Sequence, residues 1–214
     1  MRAAFAGRTD AGVHALGQVA AFNVNSTLRA EELVSGLNHF LPEDIAVRRA
    51  ADVVAGFDPR RDAKSRRYRY RIDNGRVRSP MGRDRAWHLP KRLDVATVRA
   101  AAARLEGRHD FAAFAGPYDG ETVRTLRRCE VRVKRALISV EMEAEAFLPH
   151  QVRRSVGALV EVGLRRRNEE WLVDLLETAV PSSAGPSAPA CGLYLVSIAY
   201  DGLDLAECQA TGWS

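Results

Sequence analysis

The chain has 214 residues, of which 46% are hydrophobic and 28% charged, and its formal net charge is +5. This length is enough for one large domain or two small ones with a hydrophobic core. No apolar run approaches the length of a membrane-spanning helix, and we expect no membrane partner.

The three cysteines, Cys129, Cys191 and Cys208, are scattered along the chain and do not have the spacing of metal ligands. Isolated cysteines in odd number are most simply explained as free thiols of a cytosolic protein. We therefore expect a cytoplasmic protein with no disulfide and no metal.

Positive charge is concentrated in one stretch. Between Arg60 and Arg92 there are 13 Lys and Arg against three Asp, a net of +10, which leaves −5 for the rest of a chain whose total is +5. A concentrated basic zone is typical of a surface that contacts a phosphate backbone. The alternative is a solvated arginine-rich surface that reflects a compositional bias of the genome. The ratio of 29 Arg to 3 Lys makes this alternative plausible.

The first half of the chain predicts the order β-β-α-β. A strand is expected at Arg2–Ala6, a second at Gln18–Val24, a helix at Leu28–Phe40 behind Thr27 as its cap, and a strand at Ile45–Val54. The segment 56–63, which reads GFDPRRDA, is rich in turn-forming residues and is a candidate boundary between halves at 1–62 and 63–214.

A turn with a single carboxylate follows the first predicted strand. Gly7 and Gly12 bound the segment GRTDAG, which places Asp10 in a tight turn with Arg8 two residues before it. Because a nearby opposite charge favours the ionised form, we expect Arg8 to keep Asp10 charged. An ionised carboxylate on a turn suits a nucleophile, although an ordinary Asx turn has the same spacing.

The second half predicts β-α-β-β-α-β with an added helix, which is the order of a ferredoxin-like unit. The expected elements are a strand at Arg66–Ile72, a helix to about Glu106 capped by Asp94, strands at Thr122–Val133 and Leu137–Phe147, helices at His150–Leu164 and Glu169–Thr178, and a strand at Gly192–Tyr200. In the first strand Tyr68, Tyr70 and Ile72 alternate with arginines, which indicates one inward face. A basic loop over 74–90 separates that strand from the first helix.

The thirteen residues from Gly7 to Val19, GRTDAGVHALGQV, closely resemble the catalytic motif of the TruA family of tRNA pseudouridine synthases. The resemblance extends over essentially the whole chain. It implies an α+β fold of two ferredoxin-like (βαββαβ) halves, whose antiparallel sheets flank a central cleft. Members of the family normally begin with a strand and a helix ahead of the turn, so we expect an N-terminally truncated chain whose first half lacks both.

The resemblance also implies an activity. The family isomerises uridine to pseudouridine in the anticodon stem-loop of tRNA, at tRNA nucleotides 38–40, without cofactor or metal. We therefore expect no cofactor, tRNA as the substrate and a homodimer. The target nucleotide must leave the base stack to reach the enzyme's reacting groups.

Residue by residue, the resemblance assigns Asp10 as the nucleophile and Arg8 as the arginine that helps displace the flipped base. Tyr68, in the string SRRYRYRI, matches the active-site tyrosine, whose ring can stack on a base. From the strand pattern alone, Tyr68 and Tyr70 are equally explained as inward-facing aromatics.

A third motif, FLPHQVR at 147–153, supplies Arg153 on the predicted helix, where a charged side chain needs a partner such as the catalytic carboxylate. Gln151 departs from the usual Met of this motif. Leu193 matches a leucine that packs against the site and Arg60 an arginine near the cleft, although a core leucine and an exposed linker arginine remain open readings. His14 is expected to order the turn, without a role in proton transfer.

Two other functions remain open. A non-catalytic RNA-binding fragment would retain the motifs but not a formed site. A hydrolase with an aspartyl nucleophile would need a second catalytic carboxylate or a nucleophile–histidine pair, and neither is evident in the sequence.

Overall fold

Residues 2–203 are described by the structure, a computed structural model, and within them the chain forms four α-helices and nine β-strands. The larger sheet and three of the four helices share the main core, so the fold is α+β, as expected from the sequence. No helix in this part of the chain is long and apolar enough to cross a membrane.

The second half of the chain supplies most of one seven-stranded sheet. Its four long strands are β4 (Ser65–Asp73), β7 (Val123–Lys134), β8 (Leu137–Ala144) and β9 (Leu193–Ala199), joined by the short strands β2 (His14–Ala15), β5 (Trp87–His88) and β6 (Gly107–Asp110). The strand order is β2-β9-β4-β8-β7-β6, with β5 paired to β4. Only the β2–β9 and β4–β5 pairs among the described strands are parallel.

Three helices accompany this sheet: α2 (Val95–Arg104), α3 (Gln151–Gly163) and α4 (Glu169–Thr178). The bounds of α4 are those expected from the sequence, and those of α3 differ by one residue at each end. Asp94 caps α2 as predicted, because its Oδ1 accepts hydrogen bonds from the backbone N–H groups of Ala96 and Thr97 at 3.1 and 3.3 Å. The four long strands and helices α2 and α3 follow the order β-α-β-β-α-β, and the second half adds to them the short strands β5 and β6 and helix α4.

The core lies between the sheet and helices α2 and α3. Tyr70 and Ile72 of β4 are fully buried there with Val140 and Met142 of β8, whereas Tyr68 is half-buried. The alternation predicted for this strand is therefore confirmed at Tyr70 and Ile72. Burying a large apolar side chain contributes about 1.5–3 kcal/mol, so this layer fixes where α3 lies.

The first half forms less regular structure than expected. Strands β1 (Ala4–Phe5) and β3 (Ala20–Ala21) pair with each other, and α1 (Ala30–Phe40) has no buried residue. The predicted Thr27 cap is wrong: the cap is Arg29, whose N–H donates to Glu32 at 2.8 Å. Two ferredoxin-like halves are not confirmed, and the division at residue 62 stays a prediction.

The strand predicted at Ile45–Val54 is wrong, since this segment has no regular structure. A strand needs a neighbouring backbone, and here a side chain takes that place. Asn38 of α1 donates to the carbonyl of Val47 at 2.8 Å and accepts from its N–H at 2.7 Å. Ile45 and Val54 are 53% and 79% exposed, so the apolar pattern that suggested a strand does not correspond to burial.

A close approach between α3 and the loop before β9 gives a stability prediction. A β-carbon at Gly157 would lie 2.4 Å from the backbone oxygen of Pro186, whereas one at Gly36 of α1 would meet nothing within 4 Å. We expect Gly157→Ala to lower the free energy of unfolding by about 1–3 kcal/mol through overpacking. Gly36→Ala should raise it by about 0.5–1 kcal/mol. Urea denaturation of both variants measures this, and equal effects would contradict the packing.

Candidate active site

The turn that carries Asp10 is fixed by backbone hydrogen bonds. The N–H of Val13 donates to the carbonyl of Asp10 at 3.0 Å, and Gly12 has a φ of 81°, a conformation that favours glycine. The side-chain amide of Gln18 donates to the carbonyl of Gly7 at 2.8 Å. The turn is therefore closed at its base and held in one shape.

Strand β2 attaches this turn to the main sheet. His14 and Ala15 lie beside Tyr194 and Leu195 of β9, and the N–H of Leu16 donates to the Leu195 carbonyl at 2.8 Å. Strand β9 also pairs with β4, which carries Tyr68. Two of the predicted site residues thus stand on the same framework.

The structure brings Asp10 and Arg153 together. Nη1 of Arg153 donates to Oδ2 of Asp10 at 2.6 Å, with 17% of the Arg153 side chain and 42% of the Asp10 side chain exposed. Nε of Arg153 donates to the carbonyl of Ala188 at 2.8 Å, and the N–H of Ala188 donates back to the Arg153 carbonyl at 3.0 Å. The guanidinium is therefore held at Nε by the Ala188 carbonyl and presents Nη1 to the carboxylate.

The role expected for Arg8 as the charge partner of Asp10 is corrected by this arrangement. Arg8 is exposed, and within residues 2–203 the Asp10 carboxylate pairs with Arg153 and lies 3.3 Å from Nδ1 of His150. The short spacing in sequence suggested Arg8, but the first turn of α3 lies closer to the carboxylate. Arg8 remains at the open side of the turn.

Tyr68 lies next to the turn on the inner side. A β-carbon on Gly7 would be 3.9 Å from its hydroxyl, and its ring packs edge-to-face on Phe147 with centroids 5.2 Å apart. Burial raises the pKa of the Tyr68 phenol above its usual value, with Arg66 opposing the rise and Asp10 adding to it. The hydroxyl therefore keeps its proton at neutral pH and can donate a hydrogen bond.

Leu193 and Arg60 occupy different environments. Leu193 begins β9, is buried opposite Tyr70 and belongs to the same apolar cluster that Tyr68 and Val13 contact. Its core role is evident from this position. Arg60 is exposed, and its backbone rather than its guanidinium makes the contacts found in the described part of the chain.

Arg66 is a residue that sequence reasoning missed. Its guanidinium donates to the carbonyls of Glu145 at 2.6 Å, Arg60 at 2.5 Å and Ala6 at 3.3 Å. Burial lowers the pKa of Arg66 from its usual value, which is high enough that the group stays charged. Arg66, a residue of β4, therefore links Ala6, which precedes the Asp10 turn, to Glu145 at the end of β8. The sequence pattern of β4, in which Arg66 is one of four arginines, gave no sign of these contacts.

His150 was also missed, although it stands within the third motif. Its backbone is left-handed, with φ 60°, at the cap of α3, and its Nδ1 lies 3.3 Å from Oδ2 of Asp10. Next to it, Gln151 is buried, and its side-chain oxygen accepts from the N–H of Leu148 at 2.8 Å. The glutamine thus closes the first turn of α3 without disturbing the site.

His14 follows the turn and contacts β9 and the basic loop, and its expected ordering of the turn stays a prediction. Its ring stacks on Tyr194 with centroids 4.6 Å apart, and its Nε2 is 2.7 Å from the carbonyl of Asp84 in the basic loop. The hydroxyl of Tyr194 donates to the carbonyl of Arg85 in the same loop at 2.6 Å. The basic loop is therefore anchored against the strand that carries the Asp10 turn.

The site's chemistry is that of an anionic carboxylate with an arginine on one side and a protonated phenol nearby. Within the described residues, no group of three His, Cys, Asp or Glu side chains is arranged to hold a metal ion. Cys129 is buried and Cys191 half-buried, both as free thiols, and Cys208 lies outside the described residues. A carboxylate placed in this way is able to act as a nucleophile or as a charge stabiliser.

Comparison with known proteins identifies the class. A family model described as tRNA pseudouridine synthase matches residues 101–201. The tRNA pseudouridine synthase A of Myxococcus xanthus is 46% identical over 200 residues, covering 92% of this chain and 76% of the relative. Those of Pelobacter propionicus and Geotalea uraniireducens are 43% and 42% identical, each covering 91% of this chain and 80% of the relative. The chain belongs to the tRNA pseudouridine synthase A family, and it is an isomerase of that class.

Arg153 makes two different contacts through one planar group, which a lysine ammonium has no geometry to reproduce. We expect Arg153→Lys to lower kcat for pseudouridine formation by about 100-fold, the scale of losing one aligned donor at a reacting charge. The neighbouring substitution Arg154→Lys is the matched control, and it should lower kcat by less than about threefold. Equal losses in the two variants would contradict the specific role of Arg153.

Proposed function

We propose that this chain isomerises uridine to pseudouridine in the anticodon stem-loop of tRNA, with Asp10 as the nucleophile. The observation that carries the proposal is the Asp10 carboxylate, held at 2.6 Å by Arg153 with Tyr68 adjacent to the same turn. Membership of the family supports the reaction. The geometry supports the assignment of the residues.

The reaction needs one attacking oxygen and no net gain or loss of atoms. The bond between uracil N1 and ribose C1′ breaks, a bond between C5 and C1′ forms, and the proton on C5 is replaced by one on N1. An ionised carboxylate can attack either the ribose C1′ or the pyrimidine ring, and we leave these two routes open. In both, Asp10 reacts as a carboxylate, and the Arg153 guanidinium lies 2.6 Å from its Oδ2.

Tyr68 is proposed to contact the flipped base. Its ring, set against Phe147, offers a flat aromatic surface at the floor of the site. Because the pKa of its phenol is raised by burial, the hydroxyl acts as a hydrogen-bond donor rather than as an anion. Arg8, exposed on the open side of the turn, is proposed to occupy the space that the base leaves.

The remaining substrate contacts are proposed from position. Leu193 supports the site from the core, and Arg60 faces solvent beside the segment that Arg66 ties to Ala6. The basic loop holds Arg76, Arg78 and Arg83 exposed, next to the strand that supports Asp10. These side chains are proposed to bind tRNA phosphates.

A homodimer in the cytoplasm completes the proposal. It rests on the resemblance to the family together with apolar side chains exposed in the first half, among them Phe40 at 85% and Leu28 at 53%. Exposed apolar patches of this kind favour association between protein surfaces. Sedimentation of the protein across a range of concentrations tests the association.

The test of function is Asp10→Asn. The amide keeps the shape of the side chain but removes its charge, so we expect pseudouridine formation to fall at least about 1,000-fold while tRNA affinity changes by less than about threefold. Nucleoside analysis of the digested tRNA measures the product, and filter binding measures the affinity. Turnover in the variant would remove Asp10 from the mechanism. A wild-type chain that binds tRNA without product would favour a binding function alone.

Salt dependence tests the basic loop. Each phosphate contact contributes about 0.7–0.9 to the slope of log affinity against log salt. We therefore expect the double variant Arg76→Gln, Arg78→Gln to reduce that slope by about 1.4–1.8. The matched control is Arg108→Gln, Arg127→Gln, which removes the same charge from exposed positions at the β6–β7 edge, opposite β2. Equal slopes in the two double variants would mean that Arg76 and Arg78 do not contact tRNA phosphates.

A further inference from the structure

The two oxygens of the Asp10 carboxylate have different surroundings. Oδ2 accepts from Nη1 of Arg153 at 2.6 Å and lies 3.3 Å from Nδ1 of His150, an ion-pair distance at which the ring N–H is not aligned for a hydrogen bond in this structure. Within residues 2–203 no donor reaches Oδ1. With 42% of the side chain exposed, Oδ1 is the oxygen available to a substrate.

The position of His150 is built by its surroundings. Leu148, Pro149, His150 and Gln151 form a turn closed by a 3.1 Å hydrogen bond from the Gln151 N–H to the Leu148 carbonyl. A proline second and a left-handed residue third are typical of a type II turn, whose third position usually holds Gly or Asn. A histidine here strains the backbone, and strain of this kind is retained where the side chain has a use.

Gly116 makes room for the imidazole. A β-carbon at Gly116 would lie 2.5 Å from Cδ2 of the His150 ring, and the N–H of Gly116 donates to the Pro149 carbonyl at 2.8 Å. The ring therefore lies between this backbone and Asp10. Both side chains that contact Oδ2 come from the start of α3, on one side of the carboxylate.

We propose that His150 is a positioning residue, which, after a small rotation of its ring, donates from Nδ1 to Oδ2 of Asp10 and so directs Oδ1 toward the substrate. Arg153 donates a single N–H to the carboxylate, so the carboxylate of Asp10 can still rotate about its Cβ–Cγ bond. A second donor on the same oxygen restricts that rotation. This inference rests on the proposed role of Asp10 as nucleophile and adds a residue to it.

The inference requires a proton on Nδ1, because an unprotonated Nδ1 would direct its lone pair at the carboxylate. Nitrogen-15 NMR of the imidazole measures the protonation of Nδ1 in the folded protein, and the measurement does not require that the protein be catalytically active. We expect a protonated Nδ1, in either the neutral or the charged ring. An unprotonated Nδ1 would overturn the proposal.

Two substitutions of equal shape separate positioning from a purely structural role. Asn and Asp both tolerate the left-handed backbone, but only Asn can donate from the place of Nδ1. We expect His150→Asn to lose no more than about threefold in kcat, and His150→Asp to lose about 10- to 100-fold with KM within about threefold. Because the new carboxylate of His150→Asp also repels Asp10, we add His150→Gly, which removes the donor without adding a charge and should lose kcat by a similar factor. Equal kcat values in His150→Asn and His150→Gly would overturn the inference.

Controls separate this outcome from other failures. The pair His39→Asn and His39→Asp, at an exposed position on α1, should have equal kcat values. Melting temperatures check that His150→Asp and His150→Gly fold. If Asp10→Asn is inactive while His150→Asn and His150→Gly match, the proposed function stands and the positioning role fails. If Asp10→Asn is active, the proposed nucleophile itself fails.

Discussion

The ion pair between Asp10 and Arg153 joins parts of the chain that are 143 residues apart in sequence. Arg153 is carried by α3, whose buried side chains, including Val152, Val156 and Leu159, fix the helix against the main sheet. Asp10 reaches it only because β2 pairs with β9 at the edge of that sheet. The placement of the carboxylate thus depends on the packed core of the second half, although Asp10 belongs to the less ordered first half.

The same strand links the carboxylate to the basic loop. Tyr194 of β9 stacks on His14 on one side and donates to the Arg85 carbonyl, while Asp84 of the loop meets His14. A tRNA backbone bound by that loop would therefore lie against a segment that contacts His14, four residues after Asp10. Arg66 provides a second tie from the interior, between Ala6 and the end of β8. Binding and chemistry share one scaffold, so changes in the loop should affect positioning as well as affinity.

Sequence patterns predicted the second half well because its signals are local. The Asp94 cap of α2, the alternation of Tyr70 and Ile72, and the bounds of α4 follow from residues close together in the chain. The error at Ile45–Val54 has the opposite origin, since a strand depends on a neighbour that the segment does not contain. Asn38, on α1, takes the hydrogen bonds of Val47 instead.

The candidate site was predicted in part for the same reason. Asp10, Tyr68 and Arg153 stand in motifs, and the structure brings them together. Arg8 was expected to pair with Asp10 because it is only two residues away in sequence. In the structure α3 places Arg153 against the carboxylate instead. His150 reaches Asp10 because its backbone is left-handed, and Arg66 donates to three backbone carbonyls. Neither feature can be predicted from the pattern of residue types. Such contacts appear only when the fold is known.

The most direct measurement is a double-mutant cycle for unfolding, with Asp10→Asn, Arg153→Gln and the double variant in urea. The pair is half-buried and hydrogen-bonded, so we expect a coupling free energy of about 1 kcal/mol after allowance for solvent screening. All variants should keep the slope of the unfolding transition, because the core is unchanged. If the two single losses add within about 0.3 kcal/mol, the pair does not join the turn to α3, and the account of the site is contradicted.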